Sequence, residues 1–319
     1  MRAPLPIHEI AGLTESAASL RGRRILVAGS GGFLGRWITE ALRPIAEVVE
    51  LDIATGFDIA DQRQIAELAS PVDCIVHAAG YASPRAYRAN PLATIAVSVD
   101  GTRNLLDLAV RHRARLLYFS SSEIYGNPNV VPTPEGDPGS VSCRGPRACY
   151  DEGKRLGETL CQIYYDLQGA QAVTVRPFNV YGPGMALDDG RVIARFARQI
   201  GDNEPNLVYG GGRPTRTYCY VSDAIAGCLA ALQFGQAGRV YNIGIEAPEI
   251  SAAGLAGMMR AVANIPGEVV CDTYPQDYPG DEPQRRCPDI SRARAELGYQ
   301  PAIGLGEGLR RYLEWAGLL

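Results

Sequence analysis

The sequence predicts an α/β fold in which a doubly wound parallel sheet is covered by helices on both faces. Five short apolar runs are suited to strands buried on both faces, at residues 24–28, 47–51, 74–77, 116–120 and 172–175. Helical patterns of apolar residues lie between them, at residues 62–68, 91–112 and 150–167. Because strands that alternate with helices usually pair in parallel, this order predicts the fold class.

A glycine-rich turn follows the first predicted strand and opens a helix. Gly29, Gly32 and Gly35 recur at every third position, with Phe33 and Leu34 inside the turn. Residues without Cβ let backbone N–H groups approach a pyrophosphate at the positive end of a helix. The spacing alone also describes an ordinary tight turn, but its position between strand and helix favours a dinucleotide site.

The second predicted strand ends in Asp52, about 20 residues after the first glycine, where an acid binds the ribose diol. A carboxylate there repels a 2′-phosphate, which favours NAD over NADP. Arg36, beside the last glycine, is the one residue that argues for NADP. Further residues expected beside the cofactor are Asp58, Ile59, Ala78, Ala79 and Gly80.

Charge and composition exclude several functions. The 319 residues carry a net charge of -4 with no basic cluster, which argues against nucleic-acid binding. No apolar run reaches the roughly 18 residues of a membrane span, and the start lacks a signal-peptide pattern. The eight cysteines are scattered, so reduced thiols and a cytoplasmic location are expected. With three histidines, neither a metal site nor a histidine-based triad is predicted.

The character of the chain changes after Arg176, where glycine and proline become frequent and the predicted helices shorten. We therefore predict that residues 1–177 form the NAD-binding domain. Residues 178–319 are expected to form mainly a smaller substrate-binding part. The segment 241–244 is expected to return to the main sheet, so that the two parts interleave.

Tyr150 and Lys154 lie four residues apart on one predicted helix and therefore share a face. An ammonium beside a phenol favours the tyrosinate, which can take a proton from a carbinol while its hydride passes to a nicotinamide. Ser121, Ser122 and Glu123 follow a predicted strand and offer hydroxyls and a carboxylate where ligands bind such sheets. Each motif is common by itself, and the serines can also form an ordinary turn.

In this order and spacing, the motifs resemble the extended short-chain dehydrogenase/reductase family of NAD-dependent epimerases and dehydratases, which act on nucleotide sugars. The resemblance covers nearly the whole chain and implies a Rossmann fold. The segments more specifically similar to UDP-glucuronate decarboxylases (UDP-xylose synthases) are residues 82–91, 122–126, 145–155, 188–192 and 280–290. The family also implies a homodimer, for which residues 104–110 and 150–167 offer apolar faces.

The resemblance also implies residue roles. Ser121 would be the hydroxyl partner, Tyr150 the base, Lys154 its activator and Glu123 an additional acid. The residues implied to bind substrate are Ser122, Asn179, Arg191, Arg216 and Arg286, the last of them near the sugar carboxylate. Arg191 and Arg216 are expected near the uridine or diphosphate, although any one of these arginines can instead form a surface ion pair.

The implied reaction begins with oxidation of UDP-glucuronate at C4, which creates a ketone β to the C6 carboxylate. Loss of CO₂, protonation at C5 and return of the hydride then yield UDP-xylose with NAD retained. A UDP-glucuronate 4-epimerase, giving UDP-galacturonate, begins identically but prevents decarboxylation. A non-catalytic regulator that binds NAD or a sugar nucleotide is a third hypothesis, which the presence of serine, tyrosine and lysine disfavours.

Four features depart from the expected pattern, one of which is a short loop after Asp52. Gly184 stands where arginine is expected, which predicts the loss of a cation from the sugar pocket. Residues 140–143 replace an asparagine-rich loop, and Ser98 replaces a usual asparagine. At this level decarboxylation and epimerisation both remain open.

Overall fold

A six-stranded sheet organises the chain in the computed structural model, which describes residues 3–274 and 283–319. The strands of these residues are β1 (Arg24–Ala28), β2 (Glu47–Leu51), β3 (Cys74–His77), β4 (Arg115–Phe119), β5 (Gln171–Pro177), β6 (Val180–Tyr181), β7 (Asn206–Tyr209), β8 (Thr215–Arg216), β9 (Cys219–Tyr220), β10 (Val240–Ile243), β11 (Ile250–Ser251), β12 (Val269–Asp272) and β13 (Arg285–Arg286). The main sheet has the order β10-β5-β4-β3-β1-β2, and every pairing in it is parallel. The predicted α/β fold is confirmed.

Helices cover both faces of this sheet. The α-helices of the described residues are α1 (Ile7–Ser16), α2 (Phe33–Leu42), α3 (Gln62–Ala66), α4 (Pro84–Ala89), α5 (Pro91–Ala96), α6 (Thr102–His112), α7 (Ala148–Gln168), α8 (Val192–Gly201), α9 (Val221–Phe234), α10 (Ala252–Ala263), α11 (Ser291–Leu297) and α12 (Leu305–Trp315). Helices α1, α2 and α9 pack together over one face, whereas α3, α6 and α7 cover the other. This double covering is the doubly wound arrangement that the sequence predicts.

The burial of β1 explains why its sequence is apolar throughout. Ile25 and Val27 belong to the hydrophobic cluster under α2 and α9, while Leu26 and Ala28 belong to the cluster under α6. All four side chains are at most 1% exposed. Because both faces are covered, each position requires an apolar side chain, and the strand does not alternate in polarity.

The stretch predicted as one helix over residues 91–112 is interrupted. It contains α5, a π-helical turn at Val97–Gly101 and then α6. The chain is closely packed around this turn. A Cβ on Gly101 would lie 2.8 Å from the Ile59 side chain, and a Cβ on Gly153 would lie 3.1 Å from the Cβ of Ser98. A π-helical turn holds one more residue than an α-helical turn, and the sequence pattern did not predict this local change.

The first helix, α1, was not predicted from the sequence. It packs against α2 and α9 and buries Glu9. The Glu9 carboxylate accepts hydrogen bonds from the Tyr220 hydroxyl at 3.0 Å and from Arg311 at 3.2 Å. The N-terminal segment therefore connects to residues far along the chain, which a local pattern cannot show.

The second part of the chain shares the main sheet and adds small sheets of its own. Strand β10 pairs with β5 at the edge, with Tyr241 opposite Val175. The additional sheets have the orders β11-β8-β13, β12-β7 and β6-β9. Within residues 3–274 and 283–319, no helix combines the length and apolar character that a membrane crossing requires.

The close packing of α7 on β4 gives a test of the fold. A Cβ on Gly157 would overlap the Tyr118 hydroxyl, so we expect Gly157→Ala to lower the free energy of unfolding by about 2 kcal/mol. Urea unfolding followed by circular dichroism measures the change. Gly257→Ala in α10 is the matched control, because nothing lies within 4 Å of its new methyl group and helix propensity favours alanine. Equal stability of the two variants would contradict this packing.

Candidate active site

The glycine turn is closed tightly against the end of β3. Gly29 has a φ of +82°, and a Cβ on it would lie 2.6 Å from the backbone nitrogen of Ala79. A Cβ on Gly35 would overlap the carbonyl oxygen of Gly29. Helix α2 begins at Phe33 directly after this turn. The missing side chains leave the backbone and the helix N-terminus accessible, which suits the pyrophosphate of a dinucleotide.

Asp52 is held beside this turn at the end of β2. Its Oδ2 accepts the backbone N–H of Gly31 at 2.8 Å, and its Oδ1 accepts that of Ala54 at 2.9 Å. The carboxylate is therefore fixed where the ribose of a dinucleotide would lie. Arg36 donates instead to the carbonyl oxygen of Ala3 at 2.9 Å, so its guanidinium is engaged by the N-terminal segment.

The other residues expected beside NAD lie around the same turn. Asp58 accepts the backbone N–H of Ala60 at 2.9 Å, and Ile59 is buried under Gly101. Residues 78–80 continue from β3 toward Lys154, since a Cβ on Gly80 would lie 3.6 Å from the Lys154 ammonium. The structure thus brings the predicted cofactor residues to one edge of the sheet.

Helix α7 carries both Tyr150 and Lys154, and their side chains are almost fully buried. The Lys154 ammonium donates to the carbonyl oxygen of Phe119 at 2.7 Å and lies 6.0 Å from the centre of the Tyr150 ring. Burial lowers the pKa of Lys154 to about 8. Burial also raises the pKa of Tyr150, an effect that its hydrogen bond with Ser121 opposes.

The serine turn directly follows β4. Ser121 precedes a 3₁₀ turn at Ser122–Tyr125, and its hydroxyl accepts the backbone N–H of Glu123 at 3.2 Å. The turn places Ser121 against Tyr150 and directs Glu123 into a neighbouring cavity. Ser122 is buried, and it is not part of the described cavity wall.

The cavity next to Tyr150 has a volume of about 250 Å³ and is rich in cations. The arginines in its described wall are Arg88, Arg147, Arg191, Arg195, Arg216 and Arg286. Glu123 is the carboxylate among them, and the ring of Tyr87 both lines the cavity and stacks on Tyr150 with ring centres 5.2 Å apart. Guanidinium groups bind phosphates and carboxylates bidentately, so the cavity suits a ligand with several negative groups.

Glu123, whose side chain is 20% exposed, forms an ion pair with two buried arginines. Arg286, on β13, donates Nη1 to Oε1 at 2.6 Å and Nη2 to Oε2 at 2.8 Å. Arg147 donates to Oε2 as well. The Arg147 and Arg286 side chains are only 7% and 8% exposed, so this is not the surface ion pair considered as the alternative. Arg147 was not predicted as a site residue from the sequence, although it lies in the family-like segment 145–155.

Three more predicted residues lie in the same wall. Asn179 donates to the carbonyl oxygen of Thr217 at 2.8 Å. Arg216 donates to the carbonyl oxygen of Thr215 at 2.9 Å. Arg191 pairs with Asp189, and its guanidinium lies 5.5 Å from the centre of the Phe33 ring. Of the family-like segment 280–290, residues 280–282 lie outside the described residues.

Gly184 lies outside the described cavity wall, contrary to the expectation that it removes a cation from the sugar pocket. Its φ is +94°, and a Cβ on it would meet Leu5 at 3.2 Å, Trp37 at 3.3 Å and Phe33 at 3.4 Å. Glycine at this position allows the N-terminal segment to pack beside the glycine-rich turn at residues 29–35, which is called the cofactor turn below. The substitution is therefore explained by backbone conformation and packing.

Comparison with known proteins identifies the class to which this site belongs. The NAD dependent epimerase/dehydratase family matches residues 25–244, and the chain belongs to this family. Its cofactor is NAD, as the glycine turn and Asp52 predict.

Two curated relatives define the branch. The chain is 38% identical over 308 residues to UDP-glucuronic acid decarboxylase 1 of Xenopus tropicalis, spanning 92% of this chain and 72% of that protein. It is 36% identical over 324 residues to UDP-glucuronic acid decarboxylase 5 of Arabidopsis thaliana, spanning 96% and 93%. Among solved structures, DesIV of Streptomyces venezuelae, a dTDP-glucose 4,6-dehydratase with NAD and TYD bound, has a TM-score of 0.81 at 25% identity and covers 92% of this chain and 97% of its own. The resemblance read from the motifs is confirmed.

The geometry around Asp52 predicts a cofactor-binding variant. We expect Asp52→Ala to weaken NAD binding at least tenfold, because hydrogen bonds to a charged group contribute about 1.5–3 kcal/mol, and to reduce discrimination against NADP. Calorimetric titration of protein stripped of cofactor measures both affinities. Glu50→Ala removes an exposed carboxylate from the same strand and should leave them unchanged. An Asp52→Ala protein that binds NAD normally would remove this residue from the site.

Proposed function

We propose that this protein is an NAD-dependent UDP-glucuronate decarboxylase that releases CO₂ and forms UDP-xylose. One observation carries the proposal: the Glu123–Arg286 ion pair lies in the cavity wall next to the Tyr150–Lys154 pair. An arginine that can bind a sugar carboxylate thus lies beside groups suited to oxidising a sugar hydroxyl. The names of the curated relatives support decarboxylation rather than C4 epimerisation.

Substrate binding follows from the charges of the cavity. Arg191 and Arg216 would bind the diphosphate, and Asn179 would contact the nucleotide sugar. Arg191 is also close to Phe33 on the cofactor turn, so the reacting sugar would lie between the two binding regions. Arg286 would face the hexuronate carboxylate, because its guanidinium already binds a carboxylate bidentately. Ser122 would support the serine turn beside the sugar.

NAD would lie along Gly29, Gly32 and Gly35 with Asp52 at its ribose, and it supplies the hydride acceptor for C4. Tyr150 takes the proton of the C4 hydroxyl while Ser121 holds the same oxygen. The C4 ketone is β to the carboxylate, so the C5–C6 bond can break. CO₂ then leaves, and the electron pair of the broken C5–C6 bond forms an enolate. Water supplies the proton at C5, and return of the hydride to C4, with Tyr150 giving its proton back to the C4 oxygen, completes the reaction.

Lys154 helps Tyr150 to act as the base that takes the proton of the C4 hydroxyl. Its ammonium favours the tyrosinate electrostatically, and the hydrogen bond to the Phe119 carbonyl oxygen holds it under the tyrosine ring. The cations Arg191 and Arg147 also oppose the rise that burial causes in the pKa of Tyr150. Lys154, Arg191 and Arg147 thus oppose the effect of burial, which raises the pKa of the phenol.

The deciding experiment is incubation of purified protein with UDP-glucuronate, followed by NMR of the product and measurement of CO₂. UDP-xylose with CO₂ is the expected result, and UDP-galacturonate without CO₂ would establish epimerisation instead. Tyr150→Phe should lower turnover by at least about 100-fold, the contribution of one general base. Protein that binds NAD but turns over neither this nor another UDP-sugar would indicate a regulator.

We also propose a homodimer formed through α7. Leu156, Ile163 and Leu167 recur along the side of α7 away from the sheet and are 45%, 43% and 79% exposed. Two neighbouring apolar residues on α5, Leu92 and Ile95, are exposed as well. An apolar stripe of this kind is suited to pairing with its symmetry-related copy.

Light scattering tests this association. We expect a mass of twice 34.2 kDa for the wild type and of one chain for Ile163→Lys. Gln162→Lys adds the same charge to the adjacent, exposed position on a different side of the helix and should remain dimeric. A monomeric wild type, or a dimer in both variants, would refute this interface.

The chain organisation and compartment follow the same reasoning. We propose that residues 1–177 serve mainly NAD and residues 178–319 mainly the substrate, with β10 connecting the two parts through the main sheet. Each of the eight cysteines is a free thiol, which supports a reducing compartment such as the cytoplasm.

A further inference from the structure

Arg147 connects the substrate cavity with the catalytic helix. It immediately precedes α7, and its carbonyl oxygen accepts the backbone N–H of Tyr150 at 2.9 Å and that of Asp151 at 3.1 Å. Its side chain is 7% exposed and reaches the cavity wall. A displacement of Arg147 therefore moves both the first turn of α7 and the cavity.

The side chain of Arg147 contacts two carboxylates, the partly buried Glu123 and the buried Asp151. It donates to Glu123, and its Nε lies 3.7 Å from Oδ2 of Asp151, whose side chain is 8% exposed. Glu123 is in turn bound bidentately by Arg286. Two cations thus balance two anions in this group, and buried charges of this kind depend strongly on each partner.

A substrate carboxylate would disturb this balance. It has the same chemistry as Glu123 and would compete for the guanidinium of Arg286. Without a second cation, Glu123 would be left as an uncompensated, partly buried anion beside the incoming one. Arg147 approaches Glu123 from the α7 side and can retain it during this exchange.

We propose that Arg147 is a positioning residue for the loss of the carboxylate. It holds Glu123 in the cavity wall while the substrate carboxylate engages Arg286, and it balances Asp151 beside Tyr150. This inference rests on the proposed decarboxylase function.

The charges around Tyr150 make the second role measurable. Asp151 and Lys154 act from α7, Arg191 from the segment before α8, Ser121 from the turn after β4 and the stacked Tyr87 from α4. Burial and the Ser121 hydrogen bond have the largest effects on the pKa of Tyr150. Of the charged groups, Asp151 raises this pKa, whereas Arg191 and Arg147 lower it. Removal of Arg147 leaves Asp151 uncompensated, so Tyr150 should ionise at higher pH.

The test compares Arg147→Met and Arg147→Lys with the wild type, all loaded with NAD and supplied with UDP-glucuronate. In Arg147→Met we expect CO₂ release to slow at least tenfold. At a pH above the shifted acidic limb, bound NADH should accumulate, because there oxidation at C4 continues faster than loss of the carboxylate. The acidic limb of kcat should also move to higher pH. Arg147→Lys keeps the charge and should restore the pH profile, but less of the CO₂ release, because an ammonium lacks the planar fork.

Arg144→Met is the matched control, since this arginine lies three residues earlier in the same segment and is exposed. It should retain wild-type rates. The inference is wrong if Arg147→Met releases CO₂ at the wild-type rate. It is also wrong if NADH formation and CO₂ release slow equally with an unchanged pH profile, because that result assigns a purely structural role. A wild type that makes no UDP-xylose would instead refute the proposed function.

Discussion

The hydrogen bond from Lys154 to the Phe119 carbonyl oxygen connects the two elements on which the site depends. Phe119 is the last residue of β4, so the bond positions α7 at the point where the serine turn begins. Gly153 and Gly157 allow this approach, since side chains there would collide with Ser98 and Tyr118. The bond also satisfies an ammonium that burial would otherwise strongly disfavour.

A second constraint comes from burial on either side of Tyr150, because a buried charge must either be neutralised or be paired with an opposite charge. Toward NAD, burial and Lys154 together lower the pKa of His77 to about 3, so that histidine stays neutral. Toward the substrate, Glu123 and Asp151 are balanced by Arg147 and Arg286. The cavity therefore contains guanidinium groups that can bind an anionic substrate. The acidic side chains of the protein in this region are paired as well.

The local motifs were predictable because each depends on residues close together in the chain. Strands β1, β2 and β3 begin and end where their apolar runs predict, since both faces of the sheet are covered. Gly29 and Asp52 were recognised because a pyrophosphate and a ribose require those residue types at that separation. Helix α1 and the π-helical turn at Val97–Gly101 were missed, since contacts with distant segments decide them.

The sequence by itself determined the fold class and predicted the NAD-binding turn and the shared helix face of Tyr150 and Lys154, because periodicity and short spacing encode all three. Only the tertiary structure decided that Arg286, from β13, would meet Glu123 and that Arg147 would share the same carboxylate. It also decided that Gly184 would pack beside the cofactor turn instead of lining the substrate cavity. The physical reason is that ion pairs and close contacts between distant segments depend on positions in space, which no local spacing specifies.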